Sequence, residues 1–235
     1  MISICMATKN GAIFIREQLD SILLQLSDKD EIVISDDFSS DQTLQVIRSL
    51  HDPRIRIMEN SNERGIAKNF EDSLSVCKGE YIFLADQDDV WLPGKVEKMR
   101  GALRYYDLVV SDCQVVDYSL KLKKRSFYDL NNSGKGLLKN LIKNSYMGCC
   151  MAFTRELKDR ALPFPTDIPI HDFWIGLIGE LYFRVHFMQE ALVLHRRHGS
   201  NASTSGSASK QPIREKLAHR FKLVKNLFIH KYYAG

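Results

Sequence analysis

Three carboxylates within four residues, Asp86, Asp88 and Asp89, directly follow the apolar run Tyr81-Ile82-Phe83-Leu84-Ala85. That run reads as a buried parallel strand, so the acids fall where such a strand leaves its sheet. Carboxylates this close repel one another unless a cation or hydrogen bonds compensate. A hard divalent ion shared with a diphosphate is one compensation, which makes this stretch a candidate Mg2+ or Mn2+ site. Asp86 and Asp88 point the same way if the strand geometry continues, because side chains alternate with period two. An acidic turn with Asp89 capping a helix ahead of Trp91-Leu92-Pro93 satisfies the same residues.

The elements that would position these acids alternate. Strands are expected at Ile2–Ala7, Glu31–Ser35, Arg54–Met58 (nearer an edge) and Tyr81–Ala85. Helices are expected at 13–26, 42–50 and 65–77, the second capped by Asp41. This order implies a mostly parallel, doubly wound α/β sheet flanked by helices. Ligands of such sheets bind beyond the carboxyl ends of the strands. The polar breaks Thr8–Gly11, Asp36–Asp41 and Asp86–Asp89 therefore share one edge. Further on, a helix is expected from Pro93 to Tyr105, a strand at Leu108–Asp112 and a hairpin over 115–122 turning near Tyr118-Ser119. Residues 121–135 read as an irregular loop over the site. A strand follows at Met147–Phe153, then a short helix capped by Thr154 and a helix from Ile170 to Leu181. Short strands are expected at 183–187 and 191–195.

The chain has 235 residues and five cysteines without CxxC spacing, which disfavours zinc and thioredoxin-type chemistry. No apolar run reaches the ~20 residues of a membrane span, and the start lacks the features of a signal peptide. A cytoplasmic protein with reduced thiols is expected. Residues 210–235 carry a net charge of +6 and the remainder −2, so nucleic acid is not the expected partner of the fold. Ile213, Leu217, Phe221, Val224 and Phe228 form one stripe in that basic segment. It reads as an amphipathic helix lying on an anionic membrane, packing on its own domain, or binding a partner. Residues 199–209 are Ser- and Gly-rich and expected to be flexible.

Thr8 and Asn10 offer hydrogen bonds at a strand end, Asp37 or Asp36 can accept from a base or ribose, and Asp86 with Asp88 can hold a metal on a diphosphate. Neither GxxxxGK[ST] nor GxGxxG occurs, which disfavours ATP phosphoryl transfer and dinucleotide binding. A nucleotide whose diphosphate leaves is the remaining fit. Thr8-x-Asn10, Val33-Ile34-Ser35-Asp36-Asp37-x-Ser39-x-Asp41, Lys78 through Asp89-x-Trp91-x-Pro93 and a downstream His171-Asp172 together resemble glycosyltransferase family 2, over about residues 1–200.

The resemblance implies a GT-A (Rossmann-like) fold, a nucleotide-sugar donor, a divalent metal and inversion at the anomeric carbon. It implies a nucleotide-binding half at 1–112, an acceptor half at 113–200, and a loop with a basic amphipathic helix at 201–235. Thr8 and Asp37 would contact the base, helped by Asn10. Asp86 and Asp88 match the Asp-x-Asp pair, with Asp88 the more direct metal ligand. Asp172 falls where the family places its general base, although a helix cap is the other use for it. Arg196, His198 and Asn201 match an Arg-x-His-x-x-Asn pattern. His198 would complete the metal shell and Arg196 neutralise phosphate, with the serine-rich loop closing over the donor. Lys68 and Asn69 could reach the nucleotide, and Gly148 would allow close backbone approach near the acceptor. Cys149 and Cys150 read as core residues. Asp-Gln-Asp-Asp-x-Trp with His-Asp-x-Trp looks like bacterial rhamnosyl- and related surface-polysaccharide transferases. That suggests dTDP-rhamnose or a UDP-hexose as donor and a glycan or lipid-linked acceptor, reached with peripheral membrane contact through 210–235.

Other readings compete. A nucleotidyltransferase would need a basic glycine-rich phosphate loop, which Thr8-Lys9-Asn10-Gly11-Ala12 does not supply. A nucleotide-sugar-binding module without catalysis, or a membrane-tethered scaffold, is the non-enzymatic alternative.

Overall fold

The computed structural model describes residues 1–62, 64–166, 168, 170–199 and 213–233. The elements are β1 (Ile2–Thr8), α1 (Ile15–Leu23), β2 (Glu31–Asp36), α2 (Thr43–Arg48), β3 (Ile55–Glu59), α3 (Ile66–Val76), β4 (Tyr81–Asp86), β5 (Val90–Trp91) and α4 (Lys95–Ala102). They continue as β6 (Leu108–Asp117), β7 (Leu122–Lys124), α5 (Phe127–Asn131), α6 (Leu137–Ile142), a 3-10 turn at Gly148–Cys150, β8 (Met151–Thr154), α7 (Arg155–Ala161), α8 (His171–Tyr182), β9 (Val185–Arg197) and α9 (Ile213–Tyr233).

One nine-stranded sheet runs β3-β2-β1-β4-β8-β6-β9-β5, with β7 on β6. β1 to β4, β6 and β9 point one way, while β8, β5 and β7 run against them. The sheet is thus mostly parallel, as expected, and β3 forms its edge. β1 lies between β2 and β4, and its near-continuous burial matches a strand covered on both faces. Register fixes the level of the site: Thr8 lies opposite Asp36, and Ala7 opposite Asp86. α1 buries Ile15, Gln18, Leu19 and Ile22, one helical face against the sheet. β6 continues past residue 112, and one hydrophobic core extends from Ile2 to Leu227.

Four expectations change. Gly148–Cys150 curls instead of entering the strand, because the Gly148 N–H donates to Asp172 and the Cys149 carbonyl accepts from Lys95. Residues 121–135 hold β7 and α5 instead of a free loop; Asp112 anchors them by accepting from Ser126 and from the Phe127 and Tyr128 amides. The two late strands are one: exposed Gln189 and Glu190 bulge out of β9 while its ladder with β6 continues. α4 begins at Lys95, after Gly94, and is shorter than its expected span. The hairpin near Tyr118 and the Thr154 cap of α7 are observed. Asp41 binds the Thr43 amide at the start of α2.

Gly79, ahead of β4, lies so close to β1 that an added Cβ would sit 2.4 Å from the Ser3 amide nitrogen. Backbone cannot yield as a side-chain tip can. Gly79→Ala should destabilise the fold by ~1–3 kcal/mol, read as a lower urea midpoint with unchanged slope.

Candidate active site

The residues expected to meet the base cluster at the ends of β1 and β2. Asp36 accepts from the Thr8 hydroxyl at 2.8 Å and from the Ser39 amide and hydroxyl. Asp37 is buried, and its carboxylate accepts from the Arg64 and Gly65 amides at 2.6 and 3.1 Å. Asn10, left-handed at φ 49°, accepts from the Ser40 amide while its own amide donates to Ser39. Asn69 is buried at the junction of these strands: it accepts from Ser35 and Asn60, and its amide lies 3.4 Å from the Thr8 carbonyl. Lys68 pairs with Glu71 on α3.

The acidic loop is laced from several sides. Gln87 accepts from the Lys9 amide and donates to the Lys9 carbonyl, while Gln18 donates to the Asp86 carbonyl. β5 then pairs with β9, Val90 opposite Leu194, which carries residues 195–198 over residues 86–89. Asp88 Oδ2 and His198 Nε2 meet at 2.8 Å. Asp89, fully buried, accepts from the Arg196 amide at 2.9 Å and faces His195 Nδ1 at 3.1 Å. The Arg196 guanidinium donates to the Asp88 and Tyr118 carbonyls, pairs with Glu17, and lies 4.9 Å over Phe14. Phe14 also stacks on His198 at 4.6 Å.

The charges here are unequal. Burial raises the Asp86 carboxyl well above its usual range, and neighbouring Asp89 and Asp88 push the same way. Asp88 is raised by burial and Asp89, with His198 opposing. For Asp89 burial acts upward, but the His195 charge and hydrogen bonds outweigh it and hold the carboxyl low. His195 is raised to about 9 because Asp89 overcomes the opposing effect of burial. Asp86 and Asp88 therefore form a repulsive pair that a cation would relieve. Carboxylate and imidazole donors together would suit Mn2+, with carboxylates alone suiting Mg2+, and Asp88 and His198 present both types side by side. Asp88 and His198 fit that role, and Asp86 adds its charge beside Asp88.

A second ligand-like trio, Asp89, Cys149 and His195, lies within 4.8 Å. Its imidazole is raised to about 9, so at neutral pH both ring nitrogens carry protons and none can ligate, and the buried Lys95 ammonium bonds the Cys149 carbonyl beside it; the trio braces the loop.

Asp172 opens α8. Its Oδ2 accepts the Gly148 amide at 2.9 Å, and its buried Oδ1 has no hydrogen-bond partner among the described residues. Burial raises its carboxyl to about 6. His171 is buried too, stacked 4.0 Å from Phe70, and desolvation lowers it to about 3, leaving it neutral. A Cβ on Gly148 would stand 3.2 Å from His171 Nε2, so this glycine keeps the backbone close to both side chains.

The predicted residues thus gather in three groups on one sheet edge: Thr8, Asn10, Asp36, Asp37 and Asn69; Asp86, Asp88, Arg196 and His198; and Asp172. Asn201 and residues 200–209 lie outside the described residues. Phe14, Glu17 and Gln18 escaped the sequence reading, and Gln87 and His195 stood inside its motifs without a role. That place was the signal for those two, whereas Phe14 looked like one more apolar helix residue.

Fold and site together define a glycosyltransferase domain of the GT-A type. Glycosyl transferase family 2 matches residues 3–161, and the chain belongs to that family. An uncharacterized glycosyltransferase of Rickettsia felis is 28% identical over 220 residues, covering 86% of this chain and 35% of the relative. The Escherichia coli UDP-Glc:alpha-D-GlcNAc-diphosphoundecaprenol beta-1,3-glucosyltransferase WfaP is 34% identical over 96 residues, covering 41% of this chain and 38% of the relative. The chain thus aligns with little more than a third of either. Among solved structures, Staphylococcus aureus TarS 1-349 with UDP-GlcNAc superposes with a TM-score of 0.72 at 17% identity, over 97% of this chain and 66% of that one. The Pyrobaculum calidifontis mannosyltransferase PcManGT with GDP-Man and Mn2+ gives 0.65 at 23%, over 87% and 58%. These two likenesses establish the fold.

Removing one partner of a buried ion pair strands the other charge. Asp89→Ala should therefore cost ~3–5 kcal/mol in denaturant unfolding. Because His195 is raised by folding, the pair's stabilisation is fully present below the unfolded histidine pKa of ~6.5 and fades as pH rises through about 9. The wild type should lose melting temperature across that window, and His195→Gln should lose less.

Proposed function

We propose that this domain is an inverting, Mg2+- or Mn2+-dependent transferase. It moves a sugar from a nucleotide-diphosphate donor to a hydroxyl of a glycan or lipid-linked acceptor, in bacterial surface-polysaccharide assembly. The single observation that carries this reading is the meeting of Asp88 with His198 at the strand edge that also holds Thr8 and Asp37, with half-buried Asp172 close enough to act on Asp86. A UDP-hexose is favoured as donor by the activity named for the E. coli relative, and its diphosphoundecaprenol-linked acceptor favours a lipid-linked one here. dTDP-rhamnose rests on motif resemblance alone. Residues 1–112 supply the donor contacts and 113–200 the base and His198. A peripheral position at the inner face of the cell membrane fits such an acceptor.

Each group has a separable task. Thr8, Asp37 and Asn10 would orient the base. Asp86, Asp88 and His198 would hold the cation, which when bound stabilises charge on the departing diphosphate. Asp172 Oδ2 is pinned by the Gly148 amide, which leaves Oδ1 to accept the proton of the acceptor hydroxyl. The acceptor oxygen bonds to the anomeric carbon as the bond to the diphosphate oxygen breaks on the opposite face. At neutral pH most Asp172 is ionised, because its carboxyl is raised only to about 6.

Asp172→Asn should lower transfer by ~10²–10⁴-fold while UDP binding by calorimetry stays unchanged. Wild-type kcat/KM should fall about tenfold per pH unit below about 6, on the acid limb set by that carboxyl. Asp88→Ala should remove the Mn2+-dependent part of UDP or dTDP affinity while the fold is kept; equal affinity with and without Mn2+ in both proteins would reject the metal assignment.

A further inference from the structure

α9 is only half used by the fold. Leu223 and Leu227 enter the core, His230 bonds the Arg160 carbonyl at 2.7 Å and packs against Trp174 and Tyr182, and Arg220 lies 4.6 Å over Phe173. The helix therefore packs on its own domain, but with a face other than the expected stripe. At 100° per residue, Phe221, Lys225, Phe228 and Ile229 lie on the opposite side. Phe221 is 73% exposed and Phe228 64%.

α6 adds to this surface. Arg220 reaches the Ile142 carbonyl at 3.4 Å, placing α9 alongside the end of α6. There Leu138 is 76% and Ile142 82% exposed. Exposed Lys135 and Lys143 flank them, and residues 130–155 contain no acidic residue. On α9 the exposed charged side chains among the described residues are Arg214, Lys222 and Lys225, all cationic. Large apolar side chains interleaved with lysines match a bilayer interface, where the rings enter the headgroup boundary and the lysines meet anionic lipid. A second copy of the chain would bring like charges face to face, which disfavours self-association.

We propose that α6 and α9 form one platform that seats the domain on an anionic lipid bilayer. Arg220 stacks on Phe173, next to Asp172, so the platform adjoins the proposed base. An acceptor hydroxyl tethered to lipid would then be delivered near that carboxylate. The purpose of the platform rests on the proposed lipid-linked acceptor, but the contact itself is read by vesicle binding, independently of transfer.

The test is co-sedimentation of the full chain with phosphatidylcholine vesicles, with and without phosphatidylglycerol. Wild type should pellet with the anionic vesicles and stay in solution with phosphatidylcholine alone, and high salt should release it. Lys222→Glu/Lys225→Glu should weaken partitioning by roughly tenfold or more. Leu138→Ser/Ile142→Ser and Phe221→Ser/Phe228→Ser should each abolish pelleting with no change in melting temperature. Wild type remaining in the supernatant, equal binding to neutral vesicles, or dimerisation through this face seen by light scattering would overturn the proposal. Retained binding by the α6 double variant would overturn the two-helix platform. Loss of transfer in Asp172→Asn with vesicle binding intact would leave the platform standing and bears only on the transferase reading.

Discussion

The pairing of buried Asp89 with the start of the 195–198 segment holds the site together. Asp89 takes a backbone hydrogen bond from Arg196 and an imidazole from His195, residues more than a hundred positions away in the chain. A lone carboxylate at that depth would be costly, and the partner charge is what makes its burial tolerable. The neighbouring acid, Asp88, is thereby presented to His198 from a loop with no freedom to retreat. Gln87 and Gln18 complete the restraint from the β1 side.

This bracing separates the acids by environment. Asp89 is kept ionised by its histidine, whereas Asp86 and Asp88 are left with raised affinity for positive charge. Asp172 differs again: desolvation raises it, and among the described residues no neighbouring cation neutralises it. Three carboxyl roles thus come from three surroundings. Desolvation beside Phe70 keeps His171 neutral, so it adds no positive charge next to Asp172.

The first half of the fold was legible because β1, β2 and β4 are unbroken apolar runs ending in polar residues, a pattern with one simple packing solution. Their ends also gave most of the candidate site. The second half was harder. Gly148–Cys150 is as apolar as a strand, and only long-range bonds from Asp172 and Lys95 decide otherwise. The Gln189-Glu190 bulge looked like a strand end because local sequence does not show which ladder continues across it. In 210–235 the stripe of Phe221 and Phe228 was visible, yet Leu223 and Leu227 won the core because only tertiary contact chooses between two apolar faces.

The two-residue strand β5 has an architectural consequence. It returns β9 to the acidic loop at one short ladder, Val90 to Leu194 and Trp91 to Val193. Everything between those rungs leaves from and comes back to the same anchor. That excursion also builds β6, β8 and α8, so only its surface segments, such as Lys121 to Lys135, can change length while the ladder still returns residues 195–198 to the acidic loop.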